Sequence, residues 1–279
     1  AKAVARPRAA SALKLGPAAA FVTTAVPPPT GRGRRFVVLG TERTGSNLLV
    51  GMLGARPGFA CAGELFNADA IARGELFWLP GSAPDAGELL RLRAADPVAL
   101  LARLYAAGDE RAAAWTGCKL LYLQAELDDR IVDALAGDRA LAVVHLLRGD
   151  RLGRLLSFAR ARATDQWFTA AGAAAPAGDD NPLVLDARAI ATEFTSTAQQ
   201  EERFRAVFRR HAVLELDYDD LAHRLPDAGR RLGAFFGRDL GPLVPTSRKT
   251  GPRDVRAAIA NYDELKSVFA GTPFADQFP

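Results

Sequence analysis

The sequence predicts an α/β fold, a three-layer parallel sheet with helices on both faces. Three observations predict it. Four apolar stretches are continuous instead of alternating, the pattern of strands covered on both sides. Segments with helical spacing separate them. The first strand ends at a glycine and a short polar loop that feeds a helix, the layout of a phosphate-binding turn.

In chain order the strands are "RFVVLG" (35–40), "GCKLLYL" (117–123), "LAVVHLL" (141–147) and "AVLELDY" (212–218). "FACAGELF" (59–66) adds a shorter one. Helical patterns fall near 46–55, 87–107, 126–136, 151–163, 186–210 and 219–236, and a short last helix is expected near 253–268. "AGAAAPAGDDNP" (171–182) reads as a loop and a candidate lid. "GPLVPTSRKTGP" (241–252) reads as an irregular segment with two cations. No internal repeat is visible, so residues 35–279 read as one domain.

Residues 1–34 read as a separate basic arm rich in Ala and Pro. Residues 1–41 carry seven cations and no acid before Glu42, a charge of +7, which leaves −3 of the net +4 for the remainder. The basic balance is therefore a property of the arm and does not indicate a nucleic-acid-binding domain. Its acid-poor composition is that of an organelle transit peptide or its remnant, here a plastid or other organellar address, or of a segment that docks on a protein partner. No apolar run reaches the roughly 18 to 20 residues of a membrane helix. Cys61 and Cys118 are far apart in sequence and outside metal-type spacing, and read as buried thiols. Three scattered histidines argue against a zinc site.

The loop "TERTGSN" (41–47) holds the chemistry. A strand, a tight turn and a helix N-terminus make an oxyanion cradle of unpaired N–H groups at the positive end of a helix dipole. Gly45 lets the backbone approach an anion; Thr44, Ser46 and Asn47 can donate from their side chains; Arg43 adds a planar donor fork. The expected fold is thus P-loop-NTPase-like, yet Gly-Lys-Ser/Thr is missing. That absence, with no convincing magnesium carboxylate, weighs against a nucleotide kinase, ATPase or GTPase.

At these residues the chain resembles a known family. "RTGSNLL" looks like the 5′-phosphosulfate loop of sulfotransferases that use 3′-phosphoadenosine 5′-phosphosulfate (PAPS). "PGFACAGELFN" resembles the segment where bacterial carbohydrate sulfotransferases place an acid and an aromatic. "HLLRGDRLGRLLSFARARATDQW" resembles their 3′-phosphate segment. "EERFRAVFRRHAVLELDYDDLA" is similar to their late helix and strand, and "IANYDELK" to their terminal helix. The likeness spans about 36–268, nearest to the Stf0 and nodulation types.

The resemblance implies roles. Arg43 maps onto the cation that holds the bridging oxygen, and the 44–47 backbone supports the leaving phosphate. Glu64 matches the family's acid and is the expected general base; its apolar neighbours should raise its pKa toward useful basicity. His145 is the rival base, or a satisfied core histidine. Arg148, at a strand's C-terminal end, and Ser157, on the following helix, form an expected clamp for the 3′-phosphate. Arg151 and Arg154 neighbour Ser157 and otherwise read as a solvated face. Arg248 and Lys249 can close over the same phosphate, although the family more often shows Lys-Gln nearby. Lys119 is expected to line the acceptor pocket. Trp167, with Phe168, is either a platform for a sugar face or, more readily, core packing. The implied function is sulfuryl transfer from PAPS to a carbohydrate or other hydroxylated acceptor, giving adenosine 3′,5′-bisphosphate, with no metal. The alternative is a catalytically silent subunit of the same fold, docked by its arm on a large complex.

Overall fold

The structure is a computed structural model that describes residues 33–74, 85–165, 167, 181–247 and 254–279. Residues 1–32 of the arm, Phe168, nearly all of segment 171–182, and Arg248 and Lys249 lie outside the described residues.

Among those described, five parallel strands form one sheet: β1 (Arg34–Gly40), β2 (Phe59–Cys61), β3 (Trp115–Leu121), β4 (Ala142–Leu147) and β5 (Ala212–Asp217), in the order β2-β3-β1-β4-β5. Eleven α-helices surround it: α1 (Ser46–Gly54), α2 (Ala68–Ala72), α3 (Ala86–Ala95), α4 (Pro97–Glu110), α5 (Tyr122–Leu127), α6 (Asp129–Gly137), α7 (Arg151–Thr164), α8 (Ala187–Val207), α9 (Tyr218–His223), α10 (Leu225–Phe236) and α11 (Tyr262–Phe269). None of them is long and apolar enough to cross a membrane.

The strands are continuously apolar because each face has its own core. Along β1, Val37 and Leu39 join one cluster with Leu100, Leu104, Ile131 and Leu135. Phe36 and Val38 join the other, with Leu49, Met52, Leu232 and Phe236. A third cluster packs α7 and α8 against α11 and the C-terminal Phe278.

The element boundaries depart from expectation where buried residues are not strand residues. The run at 59–66 is a strand only to Cys61; Leu65 and Phe66 are buried from a turn. The run at 117–123 leaves the sheet at Leu121, where α5 begins. The expected helix 87–107 is two helices. Pro97 has no N–H to continue a helix and pushes the residue before it out of the helical region. Asp96, at φ −149°, ends α3, and its carboxylate accepts from the Val98 and Ala99 amides to cap α4. The expected helix 253–268 shortens to α11, and 219–236 divides into α9 and α10.

The chain leaves β1 toward β3 and β2 on one side, and leaves β4 toward β5 on the other. The carboxyl ends of β1 and β4 therefore flank a topological switch point, the crevice where open α/β sheets bind ligands. The loops that follow these strands carry Arg43 and Arg148.

Candidate active site

The β1–α1 loop is built by its own side chains. Thr44 Oγ1 donates to the Thr41 carbonyl at 2.8 Å, so this hydroxyl pins the turn instead of facing a ligand as expected. Arg43 sits at φ 64° and Gly45 at φ 81°, both left-handed. Gly45 is required twice over. Its φ suits glycine, and a Cβ there would lie 2.7 Å from the Tyr218 ring. Gly45 caps α1 with no side-chain acceptor, and no acid occupies the first turn. Among the described residues, the α1 N-terminus is left with orphan N–H groups and no acid in its first turn to meet its dipole.

The other helix at the switch point is closed. Asp150 accepts from the Gly153 amide at 2.8 Å, and Gln277 Oε1 accepts from the Arg151 amide at 2.7 Å and the Leu152 amide at 3.4 Å. Of these two N-termini, only that of α1 is open among the described residues.

Two guanidiniums converge beside it. Arg148 Nη1 donates to the Arg43 carbonyl at 3.0 Å and Nη2 to Asp150 at 3.1 Å, while its guanidinium lies 4.5 Å from the Tyr218 ring centroid. Arg148 is buried, and its Nε has no hydrogen-bond partner among the described residues. Arg43 Nε donates to Ser157 Oγ at 2.9 Å and Nη1 to the Trp167 carbonyl at 2.6 Å. Burial first, and then the Arg148 charge, pull Arg43 below the ordinary guanidinium pKa. The fold thus brings Arg43, Arg148 and Ser157 together, with Arg43 already bonded to the serine expected to partner Arg148. Trp167 meets the cluster through its carbonyl, while its ring lies edge-on to Phe158 at 5.8 Å and its Nε1 donates to Asp165.

Glu64 occupies the opposite flank of the loop. Lys119 Nζ lies 2.6 Å from its Oε1, and Asn67 and Gln124 donate to its Oε2 at 2.7 and 3.0 Å. Burial alone would raise the Glu64 pKa, but the Lys119 charge and these hydrogen bonds outweigh it and leave the carboxyl below its usual value. The expected rise is therefore corrected: the apolar stretch before Glu64 delivers it to a buried cation. Lys119 also donates to Asn47 Oδ1 at 2.7 Å, so it braces the first turn of α1 as well as the carboxylate. Burial lowers the Lys119 pKa, and Glu64 opposes that fall.

His145 is a satisfied core residue. Its Nε2 lies 2.5 Å from the Tyr122 hydroxyl and its Nδ1 3.0 Å from Glu215, which is itself paired with Arg205. The expected solvated face of α7 is also corrected. Arg154 is buried against Glu193 and Thr197, and Arg151 pairs with Glu201 at 2.7 Å.

The "LDYDDL" stretch carries a task that its sequence does not disclose. In the fold, Tyr218 covers both Gly45 and Arg148, and Asp217 holds the Gly149 amide at 2.8 Å. In "IANYDELK", Asn261 exchanges two hydrogen bonds with the Leu185 backbone, which forms one wall of a cleft beside the loop. Of the amide partners of Glu64, Asn67 is three residues on in the same segment, whereas Gln124 carries no signal in sequence because nothing local ties it to Glu64.

A family model described as Stf0 sulphotransferase matches residues 35–246. The chain is 27% identical over 247 residues to Nodulation protein H of Rhizobium tropici, covering 87% of this chain and 92% of that relative. Among solved structures it is similar to a sulfotransferase from Alicyclobacillus acidocaldarius, at TM-score 0.47 and 17% identity over 89% of this chain and 95% of that one. A sulfotransferase domain from the Synechococcus PCC 7002 olefin synthase matches at TM-score 0.44 and 16% identity, over 77% and 78% of the two chains.

Proposed function

The chain belongs to the Stf0 sulphotransferase family, and from that premise we propose that it transfers a sulfuryl group from PAPS to a hydroxyl of a carbohydrate or similar acceptor. The observation that carries the reading is the open α1 N-terminus beside two partly or wholly buried guanidiniums. The Arg43 and Arg148 charges repel each other, and a polyanion bound between them relieves that repulsion.

In this reading the amides of Ser46 and Asn47, with Gly45 admitting close approach, hold the 5′-phosphosulfate. Arg148 and Ser157 hold the 3′-phosphate. Arg43 lies between the two groups and faces the charge that grows on the leaving phosphate oxygen. A fixed donor of that kind contributes about 3 to 4 kcal/mol to catalysis. Glu64 accepts the proton of the attacking hydroxyl as the new oxygen–sulfur bond forms and the bond to the phosphate oxygen breaks. Lys119 keeps Glu64 ionised through the neutral range, at the cost of a weaker driving force than a pKa near 7 would give.

Calorimetry with adenosine 3′,5′-bisphosphate tests the donor site. Arg148→Ala should weaken binding by roughly 10- to 100-fold, the worth of a charged hydrogen-bond donor. Equal affinity in the variant removes Arg148 from the clamp. Glu64→Gln should lower turnover by about 10²- to 10⁴-fold and leave bisphosphate affinity unchanged; normal turnover would exclude it as the base.

A further inference from the structure

Beside the donor loop lies a cleft of about 440 Å³ between α5, α7 and α8, and its charge is opposite to that of the loop. Four carboxylates line it: Glu42 from the loop itself, Glu126 from α5, Asp186 at the cap of α8, and Glu193 within α8. Arg154 is the one cation on the wall among the described residues, and Glu193 and Thr197 engage it. The remaining three acids meet weaker compensation. Glu42 accepts from Thr41, Asp186 from the Ala189 amide, and Glu126 from Gln200, with Arg203 4.0 Å from Glu126. Aromatic residues complete the wall: Phe158 and Tyr122. A wall of carboxylates in a partly apolar cleft is the chemistry that attracts an ammonium group. Arg154 is 2% exposed and bonded to Glu193 and Thr197, so it presents little positive charge to the cleft.

We propose that this cleft takes the acceptor and selects a hydroxylated amine, an amino sugar or amino alcohol with a free ammonium, against anionic acceptors. The inference rests on the sulfuryl-transfer reading and deepens it. Glu42 joins the two halves. It follows Thr41 in the loop, lines the cleft, and its charge is felt at Lys119. An acceptor ammonium drawn toward Glu42 and Glu126 brings its hydroxyls up to the donor loop. The same field keeps the anionic nucleotide on the Arg43 and Arg148 side. An anionic sugar meets repulsion at the walls.

The experiment titrates three matched sugars, glucosamine, N-acetylglucosamine and glucuronate, into the full chain saturated with adenosine 3′,5′-bisphosphate. Affinity should fall in that order, with on the order of tenfold or more between the first and last. Glu42→Gln combined with Glu126→Gln should flatten the order while bisphosphate affinity stays at the parent value. Glucuronate binding as well as glucosamine, no binding of glucosamine, or an order unchanged in the double variant would each overturn the proposal. The nucleotide titration run alongside separates this from failure of the donor site. If the bisphosphate does not bind, the sulfuryl-transfer reading fails on its own. The sugar order is then read on the unliganded chain, where the same three outcomes overturn the acceptor proposal.

Discussion

Glu64 and Lys119 form a pair in which each residue depends on the other for its charge. Burial opposes both charged forms, and the 2.6 Å contact restores them. Removing one partner leaves an uncompensated buried charge, which costs more than the pair contributes. Lys119→Met should therefore raise the Glu64 pKa, because burial then acts unopposed. The acid limb of the pH–rate profile should move to higher pH. Stability follows the same sign. In the parent chain the carboxyl pKa is depressed, so its contribution is present above the unfolded pKa and is lost as pH falls through the folded one. In Lys119→Met the buried carboxylate is a penalty at neutral pH that protonation removes. The stability gap between parent and variant, measured by urea unfolding, should be widest near pH 7 and narrow as both carboxyls protonate. A gap that widens on acidification would show that Lys119 is not the group that holds Glu64 ionised.

At the scale of elements, the β1–α1 turn joins backbone conformation to the site. Gly45→Ala meets two penalties: a left-handed backbone, about 1 to 2 kcal/mol, and a Cβ 2.7 Å from the Tyr218 ring. Tyr218→Ala removes the second penalty and leaves the first. The cost of Gly45→Ala, read from urea unfolding, should thus be smaller in a Tyr218→Ala background, a coupling expected of residues in contact. Equal costs in the two backgrounds would mean that the loop shifts away from Tyr218 without strain. This turn is legible in the sequence as a strand, a glycine turn and a helix, and the central strands are legible because both their faces are covered. The ends are not. Leu65, Phe66 and Tyr122 are as buried as strand residues, so an apolar run reports burial and overshoots the sheet. The break at Pro97 has a local signal in the proline itself. Arg43, Arg148, Ser157, Glu64 and Lys119 are legible as motif positions, yet which of them pair is not. The pairing of Arg43 with Ser157 and of Glu64 with Lys119 joins elements that only the β2-β3-β1-β4 order brings together.

Across the whole molecule the charges are sorted by place. The cations Arg43, Arg148 and Lys119 gather at the carboxyl ends of β1, β3 and β4, and the acids Glu42, Glu126, Asp186 and Glu193 line the neighbouring cleft. Glu42 and Arg43, adjacent in the loop, stand where the two meet, the arrangement that the proposed transfer from a polyanionic donor to a different acceptor would use. The donor side has a global consequence. A ligand that binds only the folded chain stabilises it by about 2.7 kcal/mol at a hundred times its Kd. For a domain of this size each kcal/mol moves the melting temperature by roughly 2 to 4 °C, so adenosine 3′,5′-bisphosphate at that excess should raise it by roughly 5 to 11 °C. Adenosine 5′-monophosphate, which lacks the 3′-phosphate, should raise it much less at the same concentration. Arg148→Ala should bring the bisphosphate response down toward that of the monophosphate, since the group that tells the two ligands apart is then gone. The two nucleotides shifting the parent chain equally would show that Arg148 and Ser157 do not read the 3′-phosphate. No shift with either at millimolar concentration would leave the open α1 N-terminus without the ligand its charge calls for.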